Sequence, residues 1–202
     1  MKERGRPRKF DRELALRKAM YIFQERGYDG ASLGDLTAAM GINSPSLYAA
    51  FGCKEALFRE AVNLYVATDG AVTGKALASE ETARASVDAM LRGAARIFTA
   101  EAGRGCLVVL GAGHRTPDNE AVYSDLVERR AQAQVGVRQR LKKGIADGDV
   151  PQDVDIAAVA AFYTTVLNGL SLQARDGASR RRLLSVVDCA MSAWDGLMSK
   201  SK

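Results

Sequence analysis

An all-α fold is predicted by three features of this 202-residue chain. Its four prolines, Pro7, Pro45, Pro117 and Pro151, leave long stretches unbroken. β-Branched residues are scattered, and no run alternates apolar with polar side chains as a half-buried strand would. Apolar residues recur instead at helical spacing almost throughout. Hydrophobic residues make up 47% and charged residues 26%, enough apolar content to order a globular body and to exclude a low-complexity or disordered chain. About nine helices are expected.

The first helix spans about 12–26, because Ala15, Ala19, Ile22 and Phe23 fall on one face of a 3.6-residue repeat. Gly27 is its stop. Ser32 and Asp35, three residues apart, form a capping box for a short second helix with Leu33, Leu36 and Met40 inside. Gly41-Ile42-Asn43 is a turn. Ser44 then caps a third helix with Pro45 at its first position, where a missing N–H costs nothing. Leu47 and Phe51 point back to the core. Gly52 breaks this helix and caps a fourth, with Glu55 in its first turn and Leu57, Ala61, Leu64 and Tyr65 along it. Further helices are expected at 80–101, 105–113, 119–146, 154–175 and 179–198. Pro117-Asp118 starts the third of these and Asp147-Gly148-Asp149-Val150-Pro151 ends it.

Several function classes are excluded by what the chain lacks. Its three cysteines, Cys53, Cys106 and Cys189, form no CxxC pair, so a disulfide framework is not expected and a reducing compartment fits. His114 is the sole histidine, which argues against a zinc site and against most catalytic triads. No phosphate-binding glycine loop or paired acidic motif is present, so neither an enzyme nor a cofactor is expected. No run approaches 18 apolar residues and no signal peptide is evident, which makes the cytoplasm the expected location.

The net charge of +5 is unevenly placed. Within residues 1–12, six basic residues against two acidic ones give +4. Arg4-Gly5-Arg6-Pro7-Arg8 alternates arginine with residues that disfavour helix, leaving an extended ribbon narrow enough for a DNA minor groove. Its Gly-Arg-Pro centre resembles an AT-hook. The alternative is a solvated tail. Two short capped helices on a glycine turn, packed on a preceding helix, describe a helix-turn-helix. The second can present its N-terminal side chains to base edges in a major groove. Asn43, Ser44, Ser46 and Tyr48 suit that chemistry, and Ser32 and Lys54 suit phosphate contacts. An ordinary helical hairpin with serine caps is the competing reading.

The stretch from Ala31 to Leu57, with its Gly turn, Leu47-Tyr48-x-x-Phe51 helix and Lys54-Glu55-x-Leu57 start, resembles the N-terminal signature of TetR/AcrR-family transcriptional regulators. The likeness covers 12–62, about a third of the chain. It implies an all-α dimer in which an N-terminal three-helix helix-turn-helix head binds DNA and a C-terminal helical domain binds ligand and dimerises. The division expected is a flexible basic arm at 1–11, a DNA-binding head at 12–62 and an effector-binding, dimerising body at 63–202. Carried over by position, Ser32 caps and touches phosphate, Ser44 and Ser46 face bases or phosphate, Tyr48 meets the backbone and Lys54 holds phosphate. Thr37 and Met40 depart from the small apolar residues usual there. Cys53 stands where Ser, Thr or Asp is common, which puts capping there in doubt. Ala49 and Ala50 replace larger polar residues, which shifts DNA affinity toward Arg4, Arg6 and Arg8.

In such a family the body senses a small molecule. An effector pocket is expected to draw on Phe98, Cys106, Leu107, Leu110, His114, Tyr123, Tyr163 and Leu167, an apolar set with few polar groups. Cys106 lies in a Gly-Cys-Leu stretch found in a subset of the family. It is either a small buried residue or a redox or electrophile sensor sensitised by Arg104 and a helix start. His114 either satisfies a nearby carbonyl or meets ligand. The last two helices are expected to make a four-helix bundle with a second copy through Val159, Phe162, Val166, Leu170, Leu183, Val187, Ala190 and Trp194, some of which must serve the chain's own core. The leading function is therefore a repressor released from a palindromic operator by a small-molecule effector. Cys106 sensing is the alternative, and an effector-free architectural DNA-binding protein is a further one.

Overall fold

A computed structural model describes residues 10–100 and 104–199, and they are helical without strands. The elements are α1 (Arg12–Gly30), α2 (Leu33–Met40), α3 (Ser44–Phe51), α4 (Lys54–Ala67), α5 (Ala71–Ser79), α6 (Ala83–Phe98), α7 (Leu107–Leu110), α8 (Glu120–Asp147), α9 (Ile156–Arg175), α10 (Arg180–Ser192) and α11 (Trp194–Met198). Among the described residues, α7 and α11 are single turns and the other nine are full helices.

Local chemistry explains the starts and stops. Asp11 caps α1 by accepting from the Leu14 amide. Gly27 interrupts α1 at φ +70°, and one further turn follows it. At α2 the expected capping box is present in both directions: the Asp35 amide donates to Ser32 Oγ and the Ser32 amide donates to Asp35 Oδ2, each at 3.0 Å. Gly41 ends α2 in the left-handed region that favours glycine.

Two expected caps move by one residue. Asn43, not Ser44, caps α3, and its Oδ1 accepts from the Ser46 amide at 2.9 Å. Cys53, not Gly52, caps α4, and its Sγ accepts from the Ala56 amide at 3.4 Å. The cysteine thus performs the task its type had put in doubt. Ala193 divides the stretch expected as one helix at 179–198, and the stretch at 105–113 shortens to α7. Helix α5 was not expected at all.

The helices enclose two apolar cores. The first joins Ala19, Phe23, Leu36, Leu47, Phe51, Leu57 and Phe58 from α1 to α4. Phe58 meets Phe23 edge-on at 5.0 Å and Tyr28 at 5.2 Å. This core also takes in Leu107, Val108, Val122 and Leu126 from beyond the head. The second core joins Val87, Leu91, Val137, Leu141, Tyr163, Leu183, Val187 and Trp194 from α6, α8, α9, α10 and α11. Helix α9 is long and apolar enough to cross a membrane by length and composition alone, as the core helix of a soluble protein also can be. Here one side of it, including Val159, Tyr163, Leu167 and Leu170, is buried in this second core.

Candidate nucleic-acid interface and cavity

Helices α2 and α3 hold the predicted DNA-facing side chains outside the head core. Leu36 and Met40 anchor α2, and Leu47 and Phe51 anchor α3. With those positions inward, Asn43, Ser44, Ser46 and Tyr48 are all exposed. Tyr48 is 46% exposed, a large aromatic presented to solvent beside two serines. Ser32 is exposed at the start of α2, with its hydroxyl committed to Asp35 at 2.6 Å. That bond, the Ser32 amide and Arg26 hold the Asp35 carboxyl down at about 2.

Lys54 is less free than expected. Its ammonium lies 4.5 Å from the centroid of the Tyr28 ring, and desolvation lowers its pKa. Arg12, which sequence reasoning missed, fixes the frame of the head. It donates to Glu60 at 2.7 Å and to the Ala50 carbonyl, and stacks on Phe51 at 4.4 Å. Arg4, Arg6 and Arg8 lie outside the described residues.

The body contains a cavity of about 410 Å³. Its wall comes from the end of α4 and from α5 (Tyr65, Val66, Val72), α6 (Ala94, Ile97, Phe98), the α7 segment (Cys106, Val108, Val109), α8 (Arg129, Arg130, Ala133) and α9 (Leu167, Asn168). Of the eight residues expected at an effector pocket, Phe98, Cys106 and Leu167 stand in this wall. The other five expected residues do not. Leu107 is buried in the core shared with the head. Leu110 folds back over Gly105, where an added Cβ would meet its Cδ1 at 2.7 Å. His114 is exposed, and its carbonyl accepts from Asn119 Nδ2 at 2.9 Å. Tyr123 packs on the head-side core under the Arg130 guanidinium. Tyr163 is buried in the second core and donates to the Ala190 carbonyl.

Cys106 packs against both cores. Burial pushes its thiol above the usual range, while Tyr65, the Val109 and Val108 amides and Arg130 pull it down. Arg104, the cation expected to sensitise it, stacks on Tyr21 of α1 instead. The segment carrying Cys106 is tied to the head at several points. Gln24, buried in α1, donates to the Gly105 carbonyl at 2.7 Å. The Tyr28 amide donates to the Gly111 carbonyl at 2.7 Å. Arg175, at the end of α9, donates to the Gln24 carbonyl at 2.8 Å.

Of the residues expected at a dimer seam, Val159, Leu170, Leu183, Val187, Ala190 and Trp194 are buried in this chain's own core. Helical packing against α6 claims them first. Phe162 stays exposed and Val166 is half-buried. The apolar residues that α9 and α10 leave outside are Phe162 at 37%, Leu172 at 52% and Val186 at 39% exposure.

A capped helix-turn-helix head presenting hydroxyl and amide groups on a helical body defines a DNA-binding regulator. Comparison with known proteins gives the family. Residues 15–61 match the model described as bacterial regulatory proteins, tetR family. The chain is 34% identical to the HTH-type transcriptional repressor ComR of Escherichia coli (strain K12), over 98% of this chain and 95% of that protein. It is 33% identical to the HTH-type transcriptional repressor BdcR of the same strain, over 95% and 90%. Among solved structures, a cysteine mutant of the TetR family transcriptional regulator CifR, complexed with 26-base-pair double-strand operator DNA, is 49% identical with a TM-score of 0.89, over 94% of this chain and 100% of that one. The chain belongs to the TetR family of transcriptional regulators.

Proposed function

We propose that this protein is a cytoplasmic homodimeric repressor that a small-molecule effector releases from a palindromic operator. The relatives named as repressors, and the solved relative bound to operator DNA, support repression at an operator. Each head, 12–62, places the N-terminus of α3 in a major groove. Ser44 and Ser46 meet bases or phosphate, and Tyr48, Ser32 and Lys54 meet the backbone. The basic arm, through Arg4, Arg6 and Arg8, adds minor-groove and phosphate attraction. The body, 63–202, dimerises through the exposed side of α9 and α10 around Phe162, Val166, Leu172 and Val186, setting two heads at half-site spacing.

One observation carries the effector reading. The 105–111 segment forms part of the cavity wall through Cys106, Val108 and Val109, and the same segment holds α1 through the Gly105 and Gly111 carbonyls. An occupant that binds one arrangement of this segment better than another shifts the heads with it. The test is to select bound DNA from a random pool and then screen small molecules for release of the recovered site. A palindrome released by a molecule that binds the body supports the proposal. Recovery of no palindrome overturns the dimeric repressor, and salt-dependent but sequence-indifferent binding replaces it with an architectural role. Deleting residues 1–9 should weaken operator binding and flatten its salt dependence; unchanged affinity removes the arm from the interface.

The second reading, covalent sensing at Cys106, rests on that thiol's place in the cavity wall. Its raised pKa keeps it protonated at neutral pH, and the thiolate is the reactive form. A non-covalent occupant is therefore favoured. Cys106→Ser separates the two: a variant that still responds to the molecule excludes covalent sensing.

A further inference from the structure

Helix α1 lacks one of its own hydrogen bonds, and the body holds both groups that would make it. In an unbroken helix the Tyr28 amide would donate to the Gln24 carbonyl. Gly27, at φ +70° and ψ 177°, turns that amide away. The Tyr28 amide donates instead to the Gly111 carbonyl at 2.7 Å. The Gln24 carbonyl accepts instead from Arg175 Nη2 at 2.8 Å. Gln24 is buried, and buried main-chain groups are almost always paired. The break is therefore stable while both outside partners stay in place. Withdrawing either one leaves a group whose nearest remedy is the helix bond itself.

Glycine accepts the open torsions without strain and accepts helical ones as well, so Gly27 suits both forms of α1. A Cβ there would stand 3.2 Å from the Gly111 carbonyl oxygen, so a side chain would oppose the docked form by its contact and by its positive φ. Arg175 is half-buried at the end of α9, and its Nε also donates to the Arg104 carbonyl at 3.3 Å. One guanidinium thus ties α1 to the start of the cavity-wall segment, and a cation is a stronger donor to a carbonyl than a neutral group. Beyond the break, Asn119 Nδ2 donates to Asp29 at 2.9 Å and docks the last turn of α1 on the body. The residue that turns with the break is Tyr28. Its ring meets Phe58 edge-on and has the Lys54 ammonium 4.5 Å from its centroid. Closing α1 would swing Tyr28 onto the helical path and take its ring away from Lys54.

We infer that Arg175 is a positioning residue for operator binding: by holding the Gln24 carbonyl it keeps α1 open at Gly27, and so sets the Tyr28 ring on which Lys54 rests. The inference rests on the reading above in which Lys54 meets the DNA backbone.

The first measurement is nuclear magnetic resonance of the full-length protein, without DNA, with isotope-enriched lysine. An aromatic ring shields protons above its face, so the Lys54 ε-methylene signal of the wild type should lie upfield of the other lysines. Arg175→Met removes the donors, and Gly27→Ala favours a closed helix; thermal melting checks that both fold. Both should return the Lys54 signal to the range of the other lysines, and Arg175→Lys, which keeps a cationic donor, should restore part of the shift. An unmoved signal in either folded variant overturns the inference. The second measurement is the salt dependence of affinity for the operator recovered by selection. Arg175→Met should flatten the slope of log K against log salt by about 0.9, the share of one phosphate contact. Lys54→Met should do the same, and the double variant should lose no more than either. Losses that add overturn the route through Lys54. A moved signal with an unchanged slope supports the hinge at Gly27 and overturns Lys54 as a phosphate contact, the reading on which the inference rests.

Discussion

The head and the body solve the same problem, packing helices, by different means. In the head every helix begins on a side-chain cap: Asp11, Ser32, Asn43 and Cys53 each accept from the amide three residues on. Its interior closes around Phe23 and Phe58. In the body capping is mixed: Thr82, Asp155 and Ser179 cap α6, α9 and α10, whereas α5, α7, α8 and α11 start without a side-chain cap, and long apolar faces are buried while a cavity is kept open. The contrast teaches that a head built of short segments leans on fixed helix ends, whereas a body that keeps a cavity open leans more on long buried faces.

The largest expected effect probes packing. Phe23 is fully buried among aromatic rings, so Phe23→Ala should cost about 3–5 kcal/mol in chemical denaturation. Phe98 is nearly as buried but faces the cavity, so Phe98→Ala should cost clearly less, because part of its surroundings is already empty. Equal costs would break the contrast between a filled head and a hollow body. Next, Gln24→Leu should cost about 1–3 kcal/mol, the penalty for leaving the buried Gly105 carbonyl unbonded. It should also reduce the effector concentration dependence of DNA release, read by fluorescence anisotropy. A coupling that survives intact would move the link between the regions elsewhere.

Ser32→Ala should cost about 1 kcal/mol by thermal melting, the usual worth of an N-cap. The smallest effect is one of pH. Asp35 is held at about 2 against an ordinary 3.8. Its contribution is fully present above pH 4 and is lost as pH falls from about 4 to 2, because the unfolded carboxyl takes up its proton first. Asp35→Asn should flatten the stability profile across that window and leave the slope near neutrality alone.

The head was the more legible half because caps leave signatures. Ser32 and Asp35 at the right spacing, and Pro45 beside a hydroxyl, mark helix starts in the sequence itself. The one-residue error at α3 arose because Asn43 and Ser44 are both competent caps, and proline is tolerated in either of the first two helical positions. Helix α5 was invisible for the opposite reason. Gly70 gives it no side-chain cap, none of its residues is fully buried, and Gly74 reads as a breaker. The nearest signal was on its partner: Gly93 lets α5 approach α6, and a Cβ there would stand 2.9 Å from Val72. With α5 missed, its share of the cavity wall, Ala71, Val72, Thr73 and Gly74, was missed too. Tyr65 was read as an inner-face residue of α4, which it is, but its hydroxyl has no fate that periodicity can reveal. The dimer seam is no more legible in the sequence, since a buried apolar residue looks the same whether its own chain or a copy covers it.

The Tyr28 amide, bonded to the Gly111 carbonyl across the seam between α1 and the cavity wall, has a consequence for measurement. Its proton exchanges with solvent when the seam parts, and that parting can precede the unfolding of either core. Exchange at this one position therefore reports when the seam between α1 and the 105–111 segment parts. The protein carries its own stopwatch, read by deuterium uptake without any attached probe.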